Sequence, residues 1–431
     1  MKRWTVLVLA AFLGGGGASA QGPDSPVIAI RGARIIPVVG EDIPEGTILV
    51  RDGRIEALGK DVVLPSGVEI IEAKGLLAYP GLIDAYAFLG LQEITGVAAT
   101  VDHRETGRFN PQVRTIEALR FDSMHIPIAR SNGITAALVV PSGGIVSGRS
   151  ALINLDGRNQ RDMAVKPAAF LHVELPALRS GRVGAMGTRG GGEAPPADAG
   201  RILAEVRDLL NKARFYEKRR AFASKNTLLP KPMYDDTLGP LADVARGELP
   251  LMISVHSEKD IKTAIQFVAE EKLKAVFYGV EQGWKVAGEL KEAGIPCVIG
   301  SLYDMPPVWE DGYDALFRNP GLLVKAGVRV AFSSSSATAA KDLPYHAAKA
   351  AAFGLDKRDA LKAVTIDAAE ILGVGGLMGS LEKGKMANIV LADNDILEPR
   401  TNVVHVFIAG RPVDLSNRYT ELLDKFKKKG S

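Results

Sequence analysis

Serine and histidine side chains that could do nucleophilic chemistry lie at the ends of two apolar runs. His256 follows LMISV and precedes Ser257 and Glu258, and the serines 333–336 follow VRVAF. Adjacent residues on a strand point in opposite directions, so His256, Ser257 and Glu258 cannot form a proton relay. A serine of 333–336 could instead meet His256 across a site, as nucleophile and base. The alternative is structural: the serines cap the following helix, and His256 is satisfied inside a pocket.

Two aromatic residues, Tyr86 and Phe88, lie two positions apart in YPGLIDAYAFLG, residues 79–90. Side chains with this spacing share one face of a strand, as two metal ligands would. Phe88 has no lone pair, and a tyrosine with a pKa of about 10 would first have to lose its proton. Because a catalytic zinc takes about three protein ligands, these positions indicate a pocket that lacks a standard metal site.

The remaining candidates show weaker patterns. His172 ends the run AAFLH, and four further histidines lie in loop, helix or sheet contexts: His103, His125, His346 and His405. The segment PSGGIVSGRS, residues 141–150, is rich in glycine but lacks the lysine and the strand-to-helix frame of a phosphate loop. It is typical of a tight turn that brings backbone close to a pocket.

Composition and charge exclude several classes of protein. Of 431 residues, 46% are hydrophobic and 24% are charged, which is ordinary for a globular chain. The formal net charge is +3, with 53 basic and 50 acidic residues, so no electrostatic footprint for nucleic acid is present. The single cysteine, Cys297, lies in the apolar run IPCVIG and cannot form an intramolecular disulfide.

The N-terminal segment, from Met1 to Ala20, has the pattern of a signal peptide. Lys2 and Arg3 precede an apolar run, and Ala18-Ser19-Ala20 has the small-x-small form of a cleavage site. The apolar run is shorter than the roughly 20 residues that span a bilayer. We therefore expect export to the periplasm or the extracellular space, with cleavage after Ala20 and without a membrane span.

The two ends of the chain have strand-like patterns that could pair into one small domain. Residues 27–78 contain β-branched runs separated by glycines and by an Asp52-Gly53 hairpin turn. Residues 376–415 contain a similar block, from GSLEKGKMANIVLAD to NVVHVFIAGRPV. We predict a composite β-sandwich domain from these two ranges.

Between the two ends, residues 79–375 alternate buried strands with helices. From residue 250 to residue 336, four strand-helix steps follow one another, which predicts a parallel sheet with crossover helices. The length suits a (β/α)8 TIM barrel, and a doubly wound open sheet is the alternative. Residues 179–200 are rich in Gly, Pro and Arg and predict a flexible loop, and a long amphipathic helix should follow it.

Taken together, the chain resembles the amidohydrolase superfamily, and within it the secreted imidazolonepropionase-like branch. The resemblance is carried by YPGLIDAYAFLG, NPQVRTIEALRFDSMHIPIARSNGIT, SVHSEKDIKTAI and the closing run from LPYHAAKAAAFG to GSLEKGKMANIVLAD. It covers nearly the whole chain after the predicted signal peptide. It implies a (β/α)8 barrel of the metal-dependent hydrolase type, acting on amide or ester-like bonds.

The same resemblance implies where metal ligands would lie. The superfamily has His-x-His on the first barrel strand, often a carboxylated Lys on the fourth, a His on the fifth and on the sixth, and an Asp on the eighth. Six residues of this chain match those positions: Tyr86 and Phe88 for His-x-His, His256 for the fifth strand, Tyr278 and Gly279 for the sixth, and Ser334, within 333–335, for the eighth. No lysine matches the fourth-strand position. Only His256 keeps a family ligand, so we expect a vestigial pocket and no cofactor.

These expectations leave two hypotheses for function. The first is a degenerate amidohydrolase, a pseudoenzyme kept for binding or assembly, with an active paralogue or a second copy as a partner. The alternative is a hydrolase of carbon–nitrogen bonds in amides, cyclic amides or peptides, which would use zinc or another divalent metal in an altered centre. In either case the barrel mouth would be aromatic and suited to a small molecule or peptide, with these side chains: Tyr86, Phe88, Tyr278, Tyr303, Trp309, Asp304, Glu258 and His256.

Overall fold

The computed structural model describes residues 27–176, 198–226, 230, 232–304 and 308–427. The predicted signal peptide and residues 179–197 of the predicted loop lie outside this part of the chain. The described strands are β1 (Ile28–Ile35), β2 (Ile43–Arg51), β3 (Arg54–Gly59), β4 (Glu69–Glu72), β5 (Leu77–Pro80), β6 (Leu82–Ala87), β7 (Ile134–Val139), β8 (Val146–Arg149), β9 (Ala151–Asn154), β10 (Ala164–Lys166), β11 (Leu171–Glu174), β12 (Leu251–Val255), β13 (Ala275–Gly279), β14 (Cys297–Ile299), β15 (Val330–Phe332), β16 (Ile389–Ala392), β17 (Val403–Ile408) and β18 (Arg411–Pro412).

Helices fill most of the connections between the barrel strands. The described α-helices are α1 (Thr115–Ala118), α2 (His125–Arg130), α3 (Gln160–Met163), α4 (Ala199–Lys225), α5 (Leu238–Ala245), α6 (Glu258–Glu271), α7 (Ala287–Glu292), α8 (Ala315–Lys325), α9 (Leu343–Ala352), α10 (Lys357–Ala363), α11 (Ile366–Ile371) and α12 (Arg418–Lys427). Short 3-10 helices occur at Ala98–Thr100, Gly283–Val286, Trp309–Asp311 and Ala340–Asp342. No helix in the described ranges is both long and apolar enough to cross a membrane.

Strands from both ends of the chain form one eight-stranded sheet. Its order is β18-β17-β16-β5-β1-β2-β3, and β4 pairs with β1. The turn between β2 and β3 needs left-handed backbone at Asp52 (φ 50°) and Gly53 (φ 74°). A Cβ on Gly53 would lie 2.8 Å from the carbonyl oxygen of Ala409, so glycine lets the two ends of the chain approach.

The barrel is built from parallel strands that meet in two hydrogen-bonded sheets. β6 pairs with β7, and β11 through β15 pair in chain order, all in parallel. Apolar side chains from these strands fill the interior, among them Ile83, Leu138, Met252, Val276, Val298 and Ala331. This architecture confirms the predicted α/β barrel class, since crossover helices cover the outside of the strands.

The third position of the barrel wall is antiparallel, a feature that the strand pattern does not predict. One stretch of chain fills it: β8 pairs antiparallel with β11, and β9 pairs antiparallel with β7. Between β8 and β9, Ser150 exchanges backbone hydrogen bonds with Ala169 and Phe170. The segment thus joins the two sheets on one side of the barrel.

On the other side, the end of β15 meets the end of β6. The amide of Ser335 donates to the carbonyl of Tyr86 (3.0 Å), and the amide of Phe88 donates to the carbonyl of Ser336 (3.3 Å). These bonds close the wall next to the residues of the predicted site.

The passage from the sheet of both chain ends into the barrel runs through Gly81. A Cβ at this position would lie 2.1 Å from Oγ1 of Thr135, which is fully buried on β7. We expect Gly81→Ala to destabilise the chain by about 2 kcal/mol or more, since overpacking forces a backbone shift. Urea unfolding monitored by circular dichroism measures this loss.

Gly96→Ala is the matched control, because a Cβ at Gly96 meets nothing within 4 Å. Equal free energies of unfolding for Gly81→Ala and Gly96→Ala would show that β6 and β7 can move apart without a loss of stability.

Candidate functional site

Asp84 is a buried carboxylate at the centre of the barrel closure. Its Oδ1 accepts hydrogen bonds from the amides of Tyr86 (3.2 Å) and Ser334 (3.0 Å). The side chain is fully buried, and among the described residues its Oδ2 has no hydrogen-bond partner. Burial therefore raises the pKa of Asp84 to about 7, although the bonds from Ser334 and Tyr86 act in the opposite direction. The carboxyl group holds the last barrel strand against the first.

The rings of Tyr86 and Tyr278 stack face to face in the barrel mouth. Their centroids are 3.7 Å apart with an angle of 5° between the planes. Burial raises the pKa of both phenols, and for Tyr86 the neighbours Tyr278 and Glu174 raise it further. Both side chains are therefore neutral at physiological pH. Tyr86 and Tyr278, which we predicted at the ligand positions of the first and sixth strands, thus fill the space between these strands with each other.

Ser334 and Ser335, which follow β15, lie in different environments. The hydroxyl of Tyr278 donates to Oγ of Ser335 (2.8 Å), and Ser335 has left-handed backbone with φ 55°. Ser334, the residue predicted at the eighth-strand position, has its amide on Asp84 and its hydroxyl on the carbonyl of Ser336 (3.2 Å). Ser335 is therefore the serine that faces the stacked tyrosines, because the left-handed residue turns its side chain inward.

Phe88 packs against a histidine that the strand pattern did not single out. Its ring stacks on His103 at 4.2 Å, and Nδ1 of His103 lies 2.7 Å from Oγ of Ser142. Burial and the nearby Arg104 lower the pKa of His103, so this imidazole is neutral near pH 7. The glycine-rich turn of residues 141–150 reaches the mouth through Ser142, as its composition predicted.

His256 pairs with a carboxylate and not with a serine. Its Nδ1 lies 2.8 Å from Oε2 of Glu281, which follows β13. Burial lowers the pKa of His256, but the hydrogen bond and charge of Glu281, with Asp260 and Glu174, outweigh it and hold the pKa above its ordinary value. Glu281 engages Nδ1 alone, and the serine hydroxyls of 333–335 bond elsewhere: Ser333 to the carbonyl of Ile299, Ser334 to the carbonyl of Ser336, and Ser335 to Tyr278.

Gly279 makes room for this imidazole. A Cβ on Gly279 would lie 2.7 Å from Nδ1 of His256, and its backbone is left-handed with φ 92°. A histidine at this position would collide with His256, so the sixth-strand position that points inward belongs to Tyr278.

The side chains of Glu174 and Asp304 add negative charge near the mouth. The sequence predicted Asp304 among the lining residues and did not single out Glu174. Oε1 of Glu174 accepts from the amide of Gly143 (2.8 Å) and the hydroxyl of Ser147 (2.7 Å). Burial and the charge of Glu281 raise the pKa of Asp304. The alternation in AAFLHVE, with His172 and Glu174 on one face, was the signal that could have identified Glu174 on β11, at the fourth position of the barrel wall.

The other predicted lining residues lie at the periphery or away from the stack. Tyr303 is 57% exposed, and its hydroxyl donates to the carbonyl of Tyr345 (3.2 Å). Glu258 begins α6 and pairs with Lys262 at 2.8 Å. The side chain of Trp309 lies outside the described part of the structure.

His172 lies beneath the stack as a packing residue. It is 1% exposed, and neither ring nitrogen has a hydrogen-bond partner among the described residues. Burial lowers the pKa of His172 to about 3, so the ring is neutral. It meets Tyr86 edge-on at 5.9 Å, which indicates a space-filling role.

The donor set of the mouth does not fit a catalytic divalent metal. Phe88 offers no lone pair, the phenols of Tyr86 and Tyr278 stay protonated, and His256 alone supplies one imidazole donor where a catalytic zinc takes about three ligands. A stacking distance of 3.7 Å leaves no room for an ion between the tyrosine rings. In the described ranges, no group of three or more His, Cys, Asp or Glu residues is placed to hold a metal.

Comparison with known proteins agrees with the fold. Residues 317–413 match the amidohydrolase family. Over 397 residues, or 85% of this chain and 39% of the relative, the chain is 23% identical to the amidohydrolase tasK of Hapsidospora irregularis. Over 76 residues, or 18% of this chain and 13% of the relative, it is 38% identical to the adenine deaminase of Archaeoglobus fulgidus. The chain thus spans less than half the length of these two relatives.

A solved structure matches over almost its full length. The crystal structure of an amidohydrolase from Thermotoga maritima MSB8 superposes with a TM-score of 0.80 and 25% identity, covering 90% of this chain and 99% of that one. With the match at residues 317–413, this likeness supports membership of the amidohydrolase superfamily.

Glu281→Gln tests the electrostatics of the mouth. We expect the pKa of His256 to fall, because the neutral amide removes the charge and the bond that counter the effect of burial. A nuclear magnetic resonance pH titration of the imidazole measures the change. Glu258→Gln is the control, since Glu258 is accessible to solvent and pairs with Lys262. An unchanged His256 pKa in Glu281→Gln would contradict the assigned pair.

Asp84→Asn tests the buried carboxyl group. Folding raises the pKa of Asp84 from 3.8 to about 7. The folded state therefore holds the proton more tightly, so the stability from this group is present below pH 4 and is lost as the pH rises through about 7. We expect wild type to lose stability relative to Asp84→Asn between pH 4 and pH 8, as measured by urea unfolding at a series of pH values.

Asp84→Ala separates titration from tethering. It removes the acceptor of the Tyr86 and Ser334 amides and should destabilise the chain at every pH. Parallel pH profiles for wild type and Asp84→Asn would show that Asp84 does not titrate in this range.

Proposed function

We propose that this chain is an amidohydrolase-like binding protein, a pseudoenzyme with respect to the metal-dependent hydrolysis of its superfamily. The observation that carries the proposal is the stack of Tyr86 on Tyr278, which puts two neutral rings where the ligands of the first and sixth strands would converge. A metal-bound water also needs a base near neutral pH, and the hydroxyl of Ser335 cannot serve as one.

The ligand at the barrel mouth is a small molecule or a peptide. Aromatic surface for an apolar group is offered by Phe88, which is half-buried and stacked on His103. The carboxylates of Glu174, Glu281 and Asp304 surround the same region with negative charge. This combination favours a ligand that carries an apolar group and a hydrogen-bond-donating or positively charged group.

The proposal also includes export of the chain and its assembly with a partner chain. The sequence pattern from Met1 to Ala20 supports secretion to the periplasm or beyond, with cleavage after Ala20. Loss of ligand types at several separate strand positions supports a role beside an active paralogue or in a homo-oligomer, in which the barrel acts as a scaffold. The alternative function, hydrolysis of carbon–nitrogen bonds through an altered centre, predicts a tightly held metal.

Metal content separates the two functions. We expect the purified full chain, after equilibration with zinc, manganese and iron salts and then dialysis, to retain well below one equivalent of each by mass spectrometry of the elements. The reason is that one histidine falls short of the three or so protein ligands that a catalytic ion needs. One or more equivalents of a metal would overturn the proposal in favour of the altered hydrolase.

A rebuilt site is the positive control for this measurement. Four changes, Tyr86→His, Phe88→His, Tyr278→His and Ser335→Asp, should increase zinc retention, because they restore nitrogen and carboxylate donors to one mouth. The same variant with Ser334→Asp in place of Ser335→Asp should retain less zinc, since Ser334 faces Asp84. Equal retention by these two variants would contradict the assignment of Ser335.

A further inference from the structure

A cavity lies apart from the barrel mouth, between the sheet formed by both chain ends and helix α10. Its volume is about 410 Å³, within the range of small-molecule sites. Apolar side chains of Ile36, Leu77 and Leu361 line part of it. None of the residues of the mouth lines this cavity, so a ligand here would be separate from one at the mouth.

Two of the three cations that line the cavity are paired with carboxylates. Arg34 pairs with Asp42 at 2.9 Å, and Lys357 pairs with Asp395 at 2.8 Å and with Glu398 at 3.4 Å. Arg358 also lines the cavity, and its Nη2 donates to the carbonyl of Gly40. In the described part of the chain no carboxylate pairs with Arg358. Arg358 is therefore the cation of the cavity that has no carboxylate partner, which favours a ligand with one negative charge.

Tyr79 adds a neutral hydrogen-bond donor to the same cavity. Its side chain is 2% exposed. Burial and then Asp395 raise the pKa of Tyr79, so the hydroxyl keeps its proton. Among the described residues, that hydroxyl donates to no acceptor. A protonated hydroxyl and a guanidinium without a carboxylate partner, both lining one cavity, are suited to a carboxylate.

The backbone at the edge of the cavity is strained. Val38 lines the cavity, is 3% exposed and has left-handed backbone with φ 72°. A β-branched residue rarely adopts this conformation, and such strain concentrates at binding sites and switches. The conformation carries the chain into Gly40, whose carbonyl positions Arg358.

We propose that this cavity binds a small monocarboxylate with an apolar body. The carboxylate accepts hydrogen bonds from Arg358 and from the Tyr79 hydroxyl, while the apolar body packs on Ile36, Leu77 and Leu361. The paired charges of the rim remain paired, so a neutral analogue of the same shape lacks the attraction to Arg358.

Two probes of equal shape test the charge. Isothermal titration calorimetry of the full chain would use N-acetyl-L-leucine, a monocarboxylate, and N-acetyl-L-leucinamide, its neutral analogue. We expect saturable binding of the acid at least about tenfold tighter than binding of the amide, because charge-assisted hydrogen bonds are the stronger ones. Absent saturable binding of the acid, or equal affinity for both probes, overturns the proposal.

Variants then assign the site. Arg358→Gln should remove the preference for the acid, and Tyr79→Phe should weaken the acid several-fold without changing the amide. Arg54→Gln is the matched control, because Arg54 also donates to a glycine carbonyl, that of Gly384 at 2.8 Å, outside the cavity. Unchanged affinity in both Arg358→Gln and Tyr79→Phe would place the binding elsewhere and refute the assignment.

Discussion

The hydrogen bond from the Ser334 amide to the carboxylate of Asp84 is the contact on which the arrangement of the barrel mouth depends. The two residues are far apart in sequence and belong to the ends of the last and first barrel strands. With this bond in place, the chain turns at Ser335 in left-handed backbone and presents its hydroxyl to Tyr278. The same carboxylate holds the amide of Tyr86, which fixes the strand that carries the partner of Tyr278.

Around this closure, packing replaces coordination throughout the mouth. Tyr86 stacks on Tyr278, and Phe88 stacks on His103. Metal ligands are held by charge and lone pairs, whereas these rings are held by dispersion and burial, which need no ion. His256, which we predicted as the position that keeps a family ligand type, pairs with the carboxylate of Glu281. Each of these aromatic rings has a ring partner, so packing alone accounts for their positions.

The β-sheet formed by both chain ends meets the barrel at two places, Gly81 and α10. Gly81 lies where this sheet leads into β6, and it admits Thr135 into direct contact. The sheet also packs beside α10, where Arg358 meets the carbonyl of Gly40. Because the sheet is assembled from segments at opposite ends of the sequence, the cavity at its edge exists only in the folded chain.

Residue type and short-range periodicity could be interpreted from the sequence alone. They predicted a barrel of alternating strands and helices, and they indicated that Tyr86, Phe88 and Tyr278 are not metal ligands of the ordinary kind, because donor chemistry belongs to the side chain itself. Tertiary structure decided the partners: Tyr278 for Tyr86, Glu281 for His256, and Ser335 in place of Ser334 against the stack. It also decided the antiparallel third strand and the role of Glu174. Strand register and barrel closure set these contacts across long stretches of chain, and local patterns carry no information about which turn brings which side chain inward.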